Sequence, residues 1–103
     1  MYKIEYFPHS REDLQDIENY LDTIDPRLTN KIFEAIKTRI QGLVIMPLRY
    51  PKYLYRPEYR MLGVHNYMVF YVVVEETKIV EIRRILHGAR NIEHELTIES
   101  IDP

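Results

Sequence analysis

Cysteine and tryptophan are absent from these 103 residues, and glycine occurs three times. Without a thiol there is no disulfide, no thiolate metal site and no cysteine nucleophile. Isolated glycines do not build the loops that cradle nucleotide phosphates, and no GxSxG elbow is present for a covalent hydrolase. No apolar run approaches the roughly 20 residues of a membrane span. The opening MYKIEYFPHS lacks the apolar core of a signal peptide, so no membrane association is expected and the cytoplasm is the default compartment. The four histidines, His9, His65, His87 and His94, lack the i, i+4 pairing of a helical metal site. Neither a metal nor another cofactor is expected.

What is present suits one folded domain. The apolar fraction is 46% and the net charge is −2, but the charge is unevenly spread. Residues 49–90 hold eight Lys/Arg against four Asp/Glu, and the remainder holds six against twelve. A basic footprint for nucleic acid is therefore only local.

Taken in order, Tyr2 to Phe7 alternates as a first strand, ended by Pro8. Ser10 is expected to open a helix, with Asp13 completing an acidic capping box. Leu14, Ile17, Leu21 and Ile24, with Tyr20 beside them, form its apolar face. Asp25-Pro26 predicts the N-cap and first position of a second helix, running to about Ile45. Gly42 is expected to fray its last turn. The two helices form an αα-hairpin that covers one face of a sheet.

Arg49 to Arg60, RYPKYLYRPEYR, interleaves four Tyr with four Lys/Arg and two Pro. It is either a basic, aromatic surface for RNA or a Pro-stiffened loop whose tyrosines cover the core edge. A short strand over Tyr59 to Leu62 and a turn at Gly63 follow. Tyr67 to Val74 and Lys78 to His87 then read as a hairpin closed by Glu75-Glu76-Thr77. In the second of these strands Val80, Ile82 and Leu86 share one parity, yet Arg84 falls on it and Ile85 on the other. Either a bulge shifts the register or that end of the sheet is mixed. After Arg90 the acidic NIEHELTIESIDP is a loose tail or a short helix capped by Asn91, too poor in large apolar residues to add much core. The fold class is α+β, in the order β-α-α-β-β-β, with a mostly antiparallel sheet.

Arg60, Arg83, Arg84, His87 and Arg90, with tyrosines nearby, are chemically suited to cutting RNA without a metal. A base takes the 2′-hydroxyl proton, arginines stabilise the charge growing on phosphate, and an acid protonates the leaving oxygen. His87 titrates near neutrality and suits either proton role. The plainer alternative is that the arginines pair with Glu58, Glu81 and the acidic tail, while His87 tethers the C-terminal turn.

The element order, the Asp25-Pro26 helix start, the NYMVFY strand and the closing RRILHGARN together resemble the RelE/ParE superfamily, the toxins of type II toxin–antitoxin pairs. The resemblance covers residues 2–92, giving one domain over 1–92 and an appended acidic segment over 93–103. It implies a bacterial toxin neutralised by a cognate antitoxin that wraps around its helices and sheet in a hetero-oligomer. RelE-like members cut mRNA in the ribosomal A site, whereas ParE-like members poison DNA gyrase and are not nucleases. RelE has an arginine after the central-strand tyrosine, where Met68 follows Tyr67 here. Another ribonuclease branch ends on His-Tyr, where His87 is followed by Gly88. Arg60 stands where the family often has a basic residue, and Arg84 and His87 match an R-x-x-H-G ending more typical of ParE.

The resemblance thus implies a gyrase-directed toxin acting by binding. The alternative is a ribosome-dependent mRNA endonuclease with Arg60, Arg84 and His87 as catalytic residues. A third outcome keeps the fold and antitoxin binding without toxicity. On either active reading Arg49, Lys52, Tyr53, Tyr55, Arg56, Arg83 and Arg90 are candidates for contact with the target or nucleic acid.

Overall fold

A computed structural model describes residues 1–88 and 91–101. Its centre is the hairpin of β-branched and aromatic residues. Strand β1 (Lys3–Tyr6) leads into helices α1 (Pro8–Asp22) and α2 (Pro26–Gln41), followed by a 3₁₀ turn at Gly42–Val44. Strands β2 (Lys52–Tyr53), β3 (Arg56–Val64), β4 (Tyr67–Val74) and β5 (Ile79–His87) complete the sheet, and helix α3 (Ile92–Ile101) closes the described chain. The spatial order is β1-β5-β4-β3-β2. All neighbouring pairs are antiparallel except β1 with β5, which run parallel. The α+β architecture is the expected one, with a parallel edge pair and a two-residue strand inside the Tyr-rich loop added.

Helix α1 begins at Pro8, earlier than Ser10, because the proline ring needs no N–H donor in the first turn. The Ser10 hydroxyl donates back to the Phe7 carbonyl at 2.7 Å, and Asp13 is buried instead of capping. Ile17 and Leu21 face the core, whereas Tyr20 and Ile24 are exposed, so the apolar stripe is narrower than its sequence suggests. Ile24 already lies in the turn after the helix. Asp25 caps α2 as expected, accepting from the Arg27 backbone N–H at 2.9 Å. The helix tightens into the 3₁₀ turn at Gly42, several residues before Ile45. Strand β3 extends past Tyr59–Leu62 at both ends, and the reversal falls at His65-Asn66, not Gly63. His65 takes φ 53°, the left-handed conformation that a two-residue hairpin loop requires.

Helices α1 and α2 cover one face of the sheet, over Leu62, Val64, Val69, Tyr71, Val80, Ile82 and Ile85. The opposite face is covered by α3. There Leu96 is fully buried against Tyr59, Phe70 and Leu86, with Ile92 packed beside them. The acidic segment therefore does build core, contrary to expectation. One leucine and one isoleucine suffice because the sheet supplies the other large side chains. Among the described residues no helix is long and apolar enough to cross a membrane.

Candidate functional site

The parity break in the last strand is a bulge. Phe70 pairs with Arg84 and its neighbour Tyr71 pairs with Ile82, leaving Arg83 as the extra residue. The inserted residue returns Ile85 to the helix-covered face, next to Val80 and Ile82. It also lets two consecutive arginines reach the face that α3 covers.

Arg84 is buried there. Its Nε and Nη2 meet the Asp13 carboxylate at 2.7 and 2.9 Å, and Nη2 also reaches Glu95 Oε1 at 2.8 Å. Asp13 further accepts the Ile85 backbone N–H at 2.9 Å, taking over the edge of β5 where β1 has ended. Burial works against the Arg84 charge, but the hydrogen bonds and charge of Asp13, then those of Glu95, outweigh it and hold the guanidinium protonated. Arg83 donates from Nε to Glu99 at 2.9 Å and lies over the Phe7 ring at 4.7 Å. Glu99, fully buried, also meets His9 Nδ1 at 2.5 Å. Arg56 bonds the Thr97 hydroxyl and stands 3.9 Å from Glu93. On this face the arginines hold α3 in place.

The helix-covered face carries a different set of cations. Arg60 lies on it, paired across to Tyr71, and its Nη1 donates to the Tyr50 carbonyl at 2.7 Å. The Tyr71 hydroxyl donates to the Pro47 carbonyl at 2.7 Å, and burial pushes that phenol up to about 12, with the Arg60 charge opposing the rise. Two sheet side chains thus pin the loop that presents Arg49 and Tyr50. The guanidiniums of Arg39 and Arg49 stand 5.8 and 5.5 Å from the centroid of the Tyr50 ring. Lys52 is exposed and sits opposite Arg60 in the β2–β3 register.

The structure does not bring Arg60, Arg84 and His87 together. Arg60 and Arg84 occupy opposite faces of the sheet. His87 ends β5 exposed, opposite Tyr67, whose ring it meets edge-on with centroids 5.5 Å apart. Tyr67 and the Arg60 partner Tyr71 are four residues apart on β4, about 13 Å at the usual strand rise. Among the other candidates, Tyr55 is exposed while Tyr53 is half-buried, 5.3 Å edge-on to Phe70. Burial, then the charges of Glu93 and Tyr55, raise the Tyr53 phenol. Arg56 and Arg83 are held by α3, and Arg90 lies outside the described residues.

Sequence reasoning missed Asp13, His9 and Glu99, which meet their polar partners across some 70 to 90 positions. It also missed Arg39 and Tyr50 as a unit. A charged residue breaking an apolar parity, as Arg84 does, was the one available signal, and it named only one half of the pair.

The sequence matches the family model described as ParE toxin of type II toxin–antitoxin system, parDE, over residues 4–92. A search of the curated proteins returned no match. Among solved structures, the chromosomal ParDE toxin–antitoxin system from P. aeruginosa is 19% identical with a TM-score of 0.69, covering 84% of this chain and 96% of that one. A RelBE toxin–antitoxin complex from Mycobacterium tuberculosis is 23% identical with a TM-score of 0.59, over 84% and 96%. A mutant of the E. coli toxin RelE in the free state is 13% identical with a TM-score of 0.69, over 97% of both chains. At such identities the structural likeness is one of fold.

Proposed function

The chain belongs to the ParE toxin family of type II toxin–antitoxin systems, and we propose that it arrests growth by binding DNA gyrase, without a catalytic centre of its own. Its role as the toxin of such a system follows from the family. The neighbours solved as ParDE and RelBE complexes support a cognate antitoxin as its partner.

One observation carries the binding reading. Of the three residues that a metal-free ribonuclease would need, Arg60 and Arg84 lie on opposite faces of the sheet, and His87 lies at the end of β5, about 13 Å along the strands from Arg60. General acid, general base and phosphate stabiliser must converge within hydrogen-bond reach of one phosphodiester. Arg84 is in addition committed to Asp13 and Glu95. Met68, where a RelE-like ribonuclease has an arginine, packs against the apolar cluster under α3. The exposed contacts left for a target are Arg49, Lys52 and Tyr55, all in the loop between α2 and β3.

The test is a supercoiling and DNA-cleavage assay with purified toxin and gyrase, beside an mRNA-cleavage assay on programmed ribosomes. Loss of supercoiling with accumulation of cleaved DNA is the expected result. Gyrase left untouched while ribosome-bound mRNA is cut would overturn the proposal in favour of the endonuclease.

A further inference from the structure

We propose that the pinned loop after α2 forms a binding site for the phosphodiester backbone of a nucleic acid, centred on Arg39, Arg49 and Tyr50. A cavity of about 260 Å³ opens there, lined by Thr38, Arg39, Gly42, Arg49 and Tyr50. Arg60 and Lys52 adjoin it through the Tyr50 carbonyl and the β2–β3 register.

The charge balance of the site is what points to a ligand. Among the described residues, Arg27, Arg56, Arg83, Arg84 and Lys78 all have a carboxylate within 4.0 Å. The other eight described Lys/Arg have none; Lys3, Arg11, Lys31 and Lys37 are spread over β1 and the helices, whereas Arg39, Arg49, Lys52 and Arg60 gather around one loop of a chain that is acidic as a whole. Glu34 lines the adjoining cavity with Arg39 without reaching an ion pair. Four like charges gathered on one surface repel each other and stay together only because the scaffold holds them.

The scaffold here is specific. Arg60 binds the Tyr50 carbonyl, Tyr71 binds the Pro47 carbonyl, and Arg39 Nη2 donates to the Tyr50 hydroxyl at 3.3 Å. The cost of ordering the loop is met by folding, so a ligand finds its donors already placed.

The chemistry favours phosphate. Guanidinium forks match the paired oxygens of a phosphodiester, and the hydroxyls of Thr38 and Tyr50 add neutral donors. Guanidinium and hydroxyl donors fixed around one loop meet phosphate oxygens whatever the bases, so the binding proposed is to backbone and independent of sequence. A chain of phosphates also satisfies several fixed cations at once, which a lone carboxylate does not.

The experiment uses the full chain alone, without gyrase or ribosomes, so its failure leaves the gyrase reading standing. Fluorescence anisotropy would follow a labelled 20-base-pair DNA duplex and a single-stranded RNA of equal length. Binding should weaken steeply with salt, with a slope near −0.9 per phosphate contact for duplex and about −0.7 for a single strand. Arg39→Gln with Arg49→Gln should weaken it about tenfold or more near 50 mM salt. Arg27→Gln with Lys31→Gln, which removes the same charge from the other end of α2, should leave it within about twofold, since both cations lie away from the site. Circular dichroism checks each fold, and Arg49→Gln alone, an exposed loop position, decides the matter if the double variant unfolds. Absence of binding to either nucleic acid at low salt overturns the proposal, as does equal loss in both double variants. So does competition by polyglutamate as strong as that by nucleic acid, or binding of inorganic phosphate alone.

Discussion

At the scale of single residues, the decisive pair is Arg84 with Asp13. Their bidentate contact lies inside the protein, where neither charge is tolerable by itself. Replacing Arg84 with Met should cost about 3–5 kcal/mol, because it leaves the Asp13 carboxylate buried with one backbone N–H. Adding Asp13→Asn should recover part of that loss by removing the stranded charge. Urea denaturation of the single and double variants measures both. Tyr71 supplies a second test. Its phenol titrates at about 12 in the folded protein and near 10 when unfolded. The folded state therefore favours the protonated form, and this contribution is complete below about pH 10 and lost as pH rises towards 12. Wild type should lose on the order of 2 kcal/mol more across that window than Tyr71→Phe, which has no proton to lose. Urea midpoints between those pH values would show it.

At the scale of elements, a single extra residue in β5 organises the face opposite the helical hairpin. Without the bulge at Arg83, regular alternation would place Ile85 away from the helices. With it, Ile85 joins their core while Arg83 and Arg84 serve α3. Helix α3 is bound by one large apolar plug, Leu96, and by carboxylates at Glu93, Glu95 and Glu99. A ten-residue helix has little stability of its own in water, so its docking depends on those contacts. Leu96→Ala should weaken docking by about 2–3 kcal/mol, and amide exchange over α3 should accelerate at least tenfold while β4 and β5 stay protected. Equal acceleration throughout the sheet would mean that α3 and the sheet unfold as one unit.

For the molecule as a whole, charge is sorted by face. The acidic C-terminal helix neutralises the arginines on one side of the sheet, and the basic loop after α2 stays uncompensated on the other. The excess of Lys/Arg over residues 49–90 is thus divided between a structural set and an accessible one. That division supports a toxin that works by surface contact. On the proposed reading, gyrase inhibition without ribosome-dependent cleavage is the whole-molecule outcome to be measured.

The element order, the Asp25 cap, the two helical stripes in outline and the central hairpin were all legible in the sequence. Each depends on residues close together in the chain, through period, capping and turn chemistry. The resemblance carried by RRILHGARN likewise led to the family. The long-range partners were not legible. Arg84 finds Asp13 only because α1 passes the edge of β5 where β1 stops, and Glu99 reaches His9 only because α3 folds back over the sheet. The sequence announced the bulge as a conflict of parity without saying which way it resolved. Tertiary structure decided that Arg60 and Arg84 face apart, because a pleated strand and one inserted residue set the side of each arginine. Propensity has no access to that choice, since both faces of this sheet are covered and both accept a buried residue.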